Sequence, residues 1–194
     1  MLFTIIGHAH LEFLRDRRGV LQEKTSVLDT MPDDAVAFCN GDDDLLRAMT
    51  CRQRKVTFGL SAGCDVRAVD VRDLGDEGST CTIVAGARRI PVRISAYGQH
   101  MVYAALEGAA VGIEYGLTDD EIIRGIAAYQ PVGSRARVVR TERCTVIDDC
   151  YNANPDSTAA ALRSMATLPA GRRVAILGNM GELGANAAEL HRAT

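Results

Sequence analysis

The chain has 194 residues, 47% of them apolar and 24% charged, enough to bury one sizeable core or two modest ones. Its net charge of −3 argues against a nucleic-acid surface, which needs concentrated Lys and Arg. Six scattered cysteines without a C-x-x-C pair point away from zinc knuckles, redox pairs and a disulfide framework, and toward reduced thiols in the cytoplasm.

Leu2 to Ile6 is apolar without alternation, as expected of a buried strand in a parallel sheet. It is too short for a membrane span and lacks the basic leader of a signal peptide. After Gly7 and His8-Ala9-His10, the spacing of Val20, Leu21, Lys24, Val27, Leu28 and Met31 predicts a helix from Gly19 that Pro32 breaks. Ala35 to Cys39 is a second short strand, and Asn40-Gly41-Asp42 turns into a helix bearing Leu45 and Leu46. Residues 54–97 form short, partly alternating stretches separated by Gly, Asp and Ser, which predicts antiparallel hairpins. Helices are expected over Met101 to Tyr115 and, opened by the capping box Thr118 to Glu121, through Tyr129. Val138-Val139 and Thr145 to Ile147 make a strand pair, and Pro155 opens a helix to Leu168. Val174 to Leu177 reads as a buried parallel strand ending at Gly178, with a further helix beginning beyond it.

Three stretches carry possible chemistry. Lys24 lies on the apolar stripe of its helix. Burial would favour the neutral amine, which reacts with carbon dioxide to give a carbamate, an oxygen ligand for Mg²⁺. The competing reading is a packed stem with its ammonium reaching solvent. His8-x-His10 suits either a metal pair or a structural turn, and imidazole is not a preferred ligand of Mg²⁺. Asp148 to Pro155 offers two carboxylates, a phenol and two amides before a helix N-terminus, where a ribose and phosphates could sit. The same residues also fit an Asx-rich turn with Asn154 as the cap. Gly178 to Gly184 has glycines spaced three and three, so it is not the dinucleotide fingerprint, and a tight turn accounts for it.

Taken in order, Ala9-His10-Leu11-Glu12 with Lys24, Gly98-x-His100-x-Val102-Tyr103, Asp149-Cys150-Tyr151-Asn152-Ala153-Asn154-Pro155, and Leu177-Gly178-x-Met180-x-Glu182-Leu183-Gly184 with His191 resemble the Mur ligases. The Tyr-Asn-Ala-Asn-Pro and Gly-x-Met-x-Glu-Leu-Gly runs resemble the branch that adds D-alanyl-D-alanine. The resemblance covers nearly the whole chain and implies an α/β fold. Residues 1–148 would be the remainder of a central ATP-binding domain, a parallel sheet with helices plus the antiparallel section at about 54–97. Residues 149–194 would begin a Rossmann-like C-terminal domain.

The implied reaction is ATP-dependent amide synthesis through an acyl phosphate, joining D-alanyl-D-alanine to UDP-N-acetylmuramoyl-tripeptide in the cytoplasm, by an enzyme that is a monomer when complete. Carried over position by position, His10 and carbamylated Lys24 would bind the second Mg²⁺ and act in catalysis. His100 would lie on the adenine side, Arg135 would reach phosphate and Asp149 would hold the ribose. Tyr151, Asn152 and Asn154 would line the nucleotide cleft. Met101 and Ala104 stand where the family usually carries Asn, which puts side-chain contacts to adenine in doubt. No G-x-x-G-K-[ST] phosphate loop occurs in the 194 residues, so this polypeptide alone is expected to be inactive and to be a piece of the whole enzyme. Strand Leu2 to Ile6 would then leave an open edge and lower solubility.

Two rival readings use the same residues. One is a metallohydrolase built on His8, His10, carbamylated Lys24 and a late Asp, which requires a barrel of eight strand–helix repeats. The other is a non-catalytic remnant that binds nucleotide or a partner.

Overall fold

A computed structural model describes residues 1–194. Strands β1 (Leu2–Phe3), β2 (Val36–Asn40), β3 (Arg54–Gly59), β4 (Val66–Asp73), β5 (Ser79–Ala85) and β6 (Arg88–Ile94) form one sheet in that order. β1 to β4 run parallel, with Leu2 opposite Phe38 and Phe58 opposite Val66; β4, β5 and β6 are antiparallel. The antiparallel section thus starts one strand later than the sequence pattern suggests, because β3 still pairs parallel on both sides. The sheet is open and six-stranded, which removes the barrel that the metallohydrolase reading requires.

Alternation along the strands divides the apolar residues between two faces. Phe38, Phe58, Val66, Ile83, Ile90 and Val92 face α4 (Met101–Glu114) and α5 (Asp119–Ala128), forming a core of 16 buried residues. Ala109, Ala110 and Gly112 leave α4 a slim face, and Leu106 is fully buried. On the other face Phe3, Ala37 and Cys39 meet Leu11 of α1 (Leu11–Leu14), Val20 of α2 (Arg17–Thr25) and Leu46 of α3 (Asp44–Ala48). The opposite side of the hairpin strands carries Arg67, Arg89 and Arg93 and remains largely open to solvent, the usual state of an antiparallel sheet covered on one face.

One helical expectation shifts in detail and another holds. α2 opens at Arg17, capped by Asp16 accepting from Gly19 N, and passes at Ser26 into a 3₁₀ turn through Asp29. α5 opens on the expected capping box, with Thr118 and Glu121 each bonding the other's backbone.

β1 is only two residues long although the five-residue run Leu2 to Ile6, apolar but for Thr4, invites a longer strand. The reason is that side chains capture the next backbone groups. Asn40 Nδ2 donates to Thr4 O at 2.9 Å, Lys24 Nζ to Ile5 O at 2.9 Å and Arg17 Nε to Ile6 O at 2.7 Å, while Asp43 accepts from Ile6 N at 2.8 Å. With those partners the chain leaves the sheet without stranding its polar groups.

Beyond α5 a second unit begins. β7 (Arg137–Arg140) and β8 (Thr145–Asp148) form a separate two-stranded sheet, followed by α6 (Pro155–Thr167) and α7 (Ala187–Ala193). The expected buried strand at Val174 to Leu177 is not formed: the segment has no ladder, and Ile176 is 95% exposed. A parallel strand needs a neighbour to take its N–H and C=O groups, and the β7–β8 sheet does not reach it. No helix is long and apolar enough to cross a membrane, and all six cysteines are unpaired.

Candidate functional site

The sequence motifs converge where the second unit meets the first. Ser134 to Ala136 lies beside the segment that follows β8. Tyr151 N donates to Ser134 O at 3.2 Å, and Asp149 Oδ1 accepts from Ala136 N at 3.0 Å. Ala136 adopts φ +52, unusual for a residue with a side chain, so the loop is shaped for this contact. Arg135 stacks its guanidinium 3.9 Å above the Tyr151 ring, an arrangement driven by the negative face of the aromatic. Tyr151 is otherwise 68% exposed, so cation and ring together form an open platform.

His100 caps α4 beside this platform. Gly98, at φ +100, allows the imidazole to fold back: a Cβ there would lie 2.4 Å from the His100 Cε1. Although the residue has an exposed edge, desolvation of the ring lowers its pKa, and the Asp149 carboxylate pulls weakly the other way. Asp149 and His100 are therefore within electrostatic reach of one another. Tyr97, two residues before Gln99, has a buried hydroxyl without a partner, and burial pushes it up to about 12.

The two asparagines are engaged locally. Asn152 Oδ1 accepts from Ala153 N at 2.9 Å, and Asn154 forms a capping box with Ser157, with Pro155 at the first helical position. The side chains of both asparagines thus serve the turn and the helix cap. Met101 packs on the main core and Tyr103 donates from its hydroxyl to Asp42 Oδ2 at 2.9 Å, while Ala104 is exposed.

The pair His10 and Lys24 separates. Lys24 is exposed rather than buried, which removes the premise for a neutral amine, and its ammonium donates to Ile5 O. His10 presents Nδ1 to the Glu182 carboxylate. No three His, Cys, Asp or Glu side chains converge anywhere as a cation site. An ammonium bound to a carbonyl has no lone pair for a cation, so the Lys24 side chain as it stands does not fit Mg²⁺, whereas His10, held through Nδ1, keeps Nε2 open. His8 bonds Asp156 instead, through its backbone N at 2.8 Å and Nδ1 at 3.2 Å, and Gly7 leaves room for that carboxylate.

Glu182 and Asp156 were assigned no role in the sequence reading. Glu182 sat in view within the Gly-x-Met-x-Glu-Leu-Gly run, but only the fold brings it across 172 residues to His10.

Two family models match the chain: the Mur ligase middle domain over residues 1–112, and the Mur ligase glutamate ligase domain over residues 134–194. The UDP-N-acetylmuramoyl-tripeptide–D-alanyl-D-alanine ligase of Treponema pallidum is 33% identical over 190 residues, covering 98% of this chain and 40% of the relative. The ligase of the same name from Escherichia coli is 30% identical over 195 residues, covering 98% and 43%. Among solved structures, a crystal structure of MurF from Acinetobacter baumannii superposes with a TM-score of 0.90 at 26% identity, over 98% of this chain and 42% of that one. The MurF ligase of Thermotoga maritima in complex with ADP gives 0.86 at 24% identity, over 99% and 45%, a likeness of fold. The chain thus spans about two fifths of the length of the relatives it matches.

Proposed function

Since the chain belongs to the Mur ligase family, whose middle-domain model alone matches more than half of it, we propose that it is the central part of a ligase joining D-alanyl-D-alanine to UDP-N-acetylmuramoyl-tripeptide in peptidoglycan precursor synthesis. The observation that carries this reading is the clustering of Arg135, Asp149 and Tyr151 ahead of α6, with His100 within electrostatic reach of Asp149. Its α/β architecture, a mixed sheet flanked by helices, is that of the central domain in the MurF structures.

In the whole enzyme ATP would phosphorylate the terminal carboxylate of the tripeptide. The amine of D-alanyl-D-alanine would attack the acyl phosphate, giving the amide, ADP and phosphate. Within this chain, Asp149 would hold the ribose hydroxyls as an acceptor and Arg135 would face phosphate, with Tyr151 setting its direction. His100 would border the adenine. Asn152 and Asn154 would line the cleft chiefly through backbone, since their side chains serve the turn and the helix cap. ATP and Mg²⁺ are the cofactors of the whole enzyme on this reading, and the cytoplasm its setting. Carbamylation of Lys24 would have to release or share its bond to Ile5 O before it served a metal beside His10.

The chain has two lysines, Lys24 and Lys55, and neither follows a glycine loop, so the groups that cradle the β- and γ-phosphates would come from outside these 194 residues. We propose that the two units join in the loop 129–136, earlier than the 148/149 division read from the sequence; the start of the second family model at residue 134 and the separate β7–β8 sheet support that reading.

The test is a chimera in which this chain replaces its matching two fifths of the Treponema pallidum relative. Phosphate release that requires ATP, UDP-N-acetylmuramoyl-tripeptide and D-alanyl-D-alanine together is the expected result. A folded chimera that turns over with a different amine, or without the dipeptide, would sink the substrate assignment. The 194-residue chain alone, given all three, is expected to release no phosphate.

A further inference from the structure

We infer that Glu182 is a positioning residue for His10: it fixes the tautomer and direction of the imidazole, and does so only while the second unit is seated on the loop after β1. His10 Nδ1 faces the Glu182 carboxylate. An ionised carboxylate can only accept, so the proton of the neutral ring sits on Nδ1 and the lone pair is left on Nε2, which has no other partner here. A neutral histidine side chain in water, by contrast, favours the Nε2–H form.

The contact is built from both sides. His10 has φ +60 and Glu182 has φ +59, and neither is a glycine. Left-handed backbone is disfavoured for such residues and persists where surrounding structure imposes it. Next to the side-chain contact, Glu12 N donates to Glu182 O at 3.0 Å. Gly184, at φ +62, allows the approach: a Cβ there would lie 3.2 Å from the Glu12 Cα. The loop is also braced internally. Met180 and Leu183 are 5% and 3% exposed, Met180 N donates to His191 Nε2 at 3.1 Å, and the His191 Nδ1–H donates to Ala187 O at 2.7 Å. The carboxylate therefore arrives at His10 on a loop already shaped to deliver it. A carboxylate that orients an imidazole through its far nitrogen is a general way of preparing the near one. What distinguishes this pair is that its two halves belong to different units.

The inference rests on the ligase reading only for the use made of His10; its geometry and its test need no substrate. The experiment is a long-range ¹⁵N–¹H correlation spectrum of the ¹⁵N-labelled 194-residue chain, recorded above the imidazole titration, with His10 assigned by His10→Gln. Wild type is expected to show Nδ1–H as the major tautomer. In Glu182→Ala, whose wild-type side chain is half exposed so that its removal spares the core, the Nε2–H form is expected to become the majority. Gly184→Val keeps the carboxylate but unseats the loop, and the same reversal is expected. Nε2–H already dominant in wild type, or Nδ1–H retained in Glu182→Ala, would overturn the role of Glu182. Nδ1–H retained in Gly184→Val would overturn its dependence on seating. An inactive chimera would leave these spectra standing, and a spectrum against Glu182 would leave the ligase reading standing.

Discussion

Replacing Asp43 by alanine tests the explanation given for the short first strand. The Asp43 side chain is 3% exposed and accepts from Ile6 N at 2.8 Å, Leu45 N at 3.0 Å and Leu46 N at 2.9 Å, with Arg17 Nη2 at 3.5 Å. Two of those amides belong to the first turn of α3, where loss of a capping oxygen is worth about 1 kcal/mol. The third, Ile6 N, lies in a buried residue, and an orphaned amide there is worth about 1–3 kcal/mol. The sum, about 3 kcal/mol, is a large share of the roughly 5–15 kcal/mol that holds a domain together. In urea unfolding followed by circular dichroism it should lower the midpoint by about 1–2 M at a slope near 2 kcal/mol/M, with the slope unchanged. Asp43→Asn keeps an oxygen for α3 but turns an NH₂ toward Ile6 N, so it should lose about two thirds as much. An alanine variant within about 0.5 kcal/mol of wild type, or an asparagine variant as stable as wild type, would mean that this carboxylate does not hold the chain off the sheet.

Other outcomes follow from features elsewhere. Glu107 on α4 is raised to about 7 by burial, so the native state holds a proton that the unfolded chain gives up near 4.5; stability should fall as pH rises from about 4.5 to 7. Glu107→Gln should flatten that slope and add about 1–3 kcal/mol at pH 8 but nothing at pH 4, read from urea midpoints at the two pH values. Gly78, at φ +96 with the Ile94 carbonyl oxygen 2.0 Å from where a Cβ would sit, should not accept alanine; a loss of more than about 2 kcal/mol is expected, and a neutral result in thermal unfolding would contradict the geometry. Tyr151→Ala removes the ring beneath Arg135 and should change stability by less than about 1 kcal/mol. In the chimera it should raise the Kd for ADP several-fold by calorimetry, and unchanged affinity would remove Tyr151 from the cleft.

The elements with a local cause were legible in the sequence. Thr118 and Glu121 announced α5, Asn154 with Pro155 announced α6, and the turn-separated alternation after Val66 announced the hairpins. The misreadings have non-local causes. Ile5 and Ile6 look like strand, but Lys24, Arg17 and Asp43 take their backbone groups. Val174 to Leu177 has strand composition, yet composition supplies no neighbouring edge. Lys24 shares a stripe with apolar residues, but the helix gives way to a 3₁₀ turn at the next residue but one, and the side chain ends in the open. For the candidate site, the Asp149 to Asn154 run was legible as a polar loop that follows one strand and opens one helix. The companionship of Arg135 and Tyr151, and of His10 and Glu182, depended on loops meeting across the fold.

The seam between the two units is mostly polar. His8 meets Asp156, His10 meets Glu182, Arg140 meets Asp76 and Thr167 meets Asp73, while Leu190 is the only side chain of the second unit packed against either apolar core. Such groups trade a protein partner for water with little net change, so of the side chains packed on the two apolar cores, parting the units would bare only Leu190. Dissolved ions compete for the same charges within about 8 Å at physiological ionic strength. Salt should therefore weaken this seam more than the 16-residue core beneath α4, whose packing is apolar.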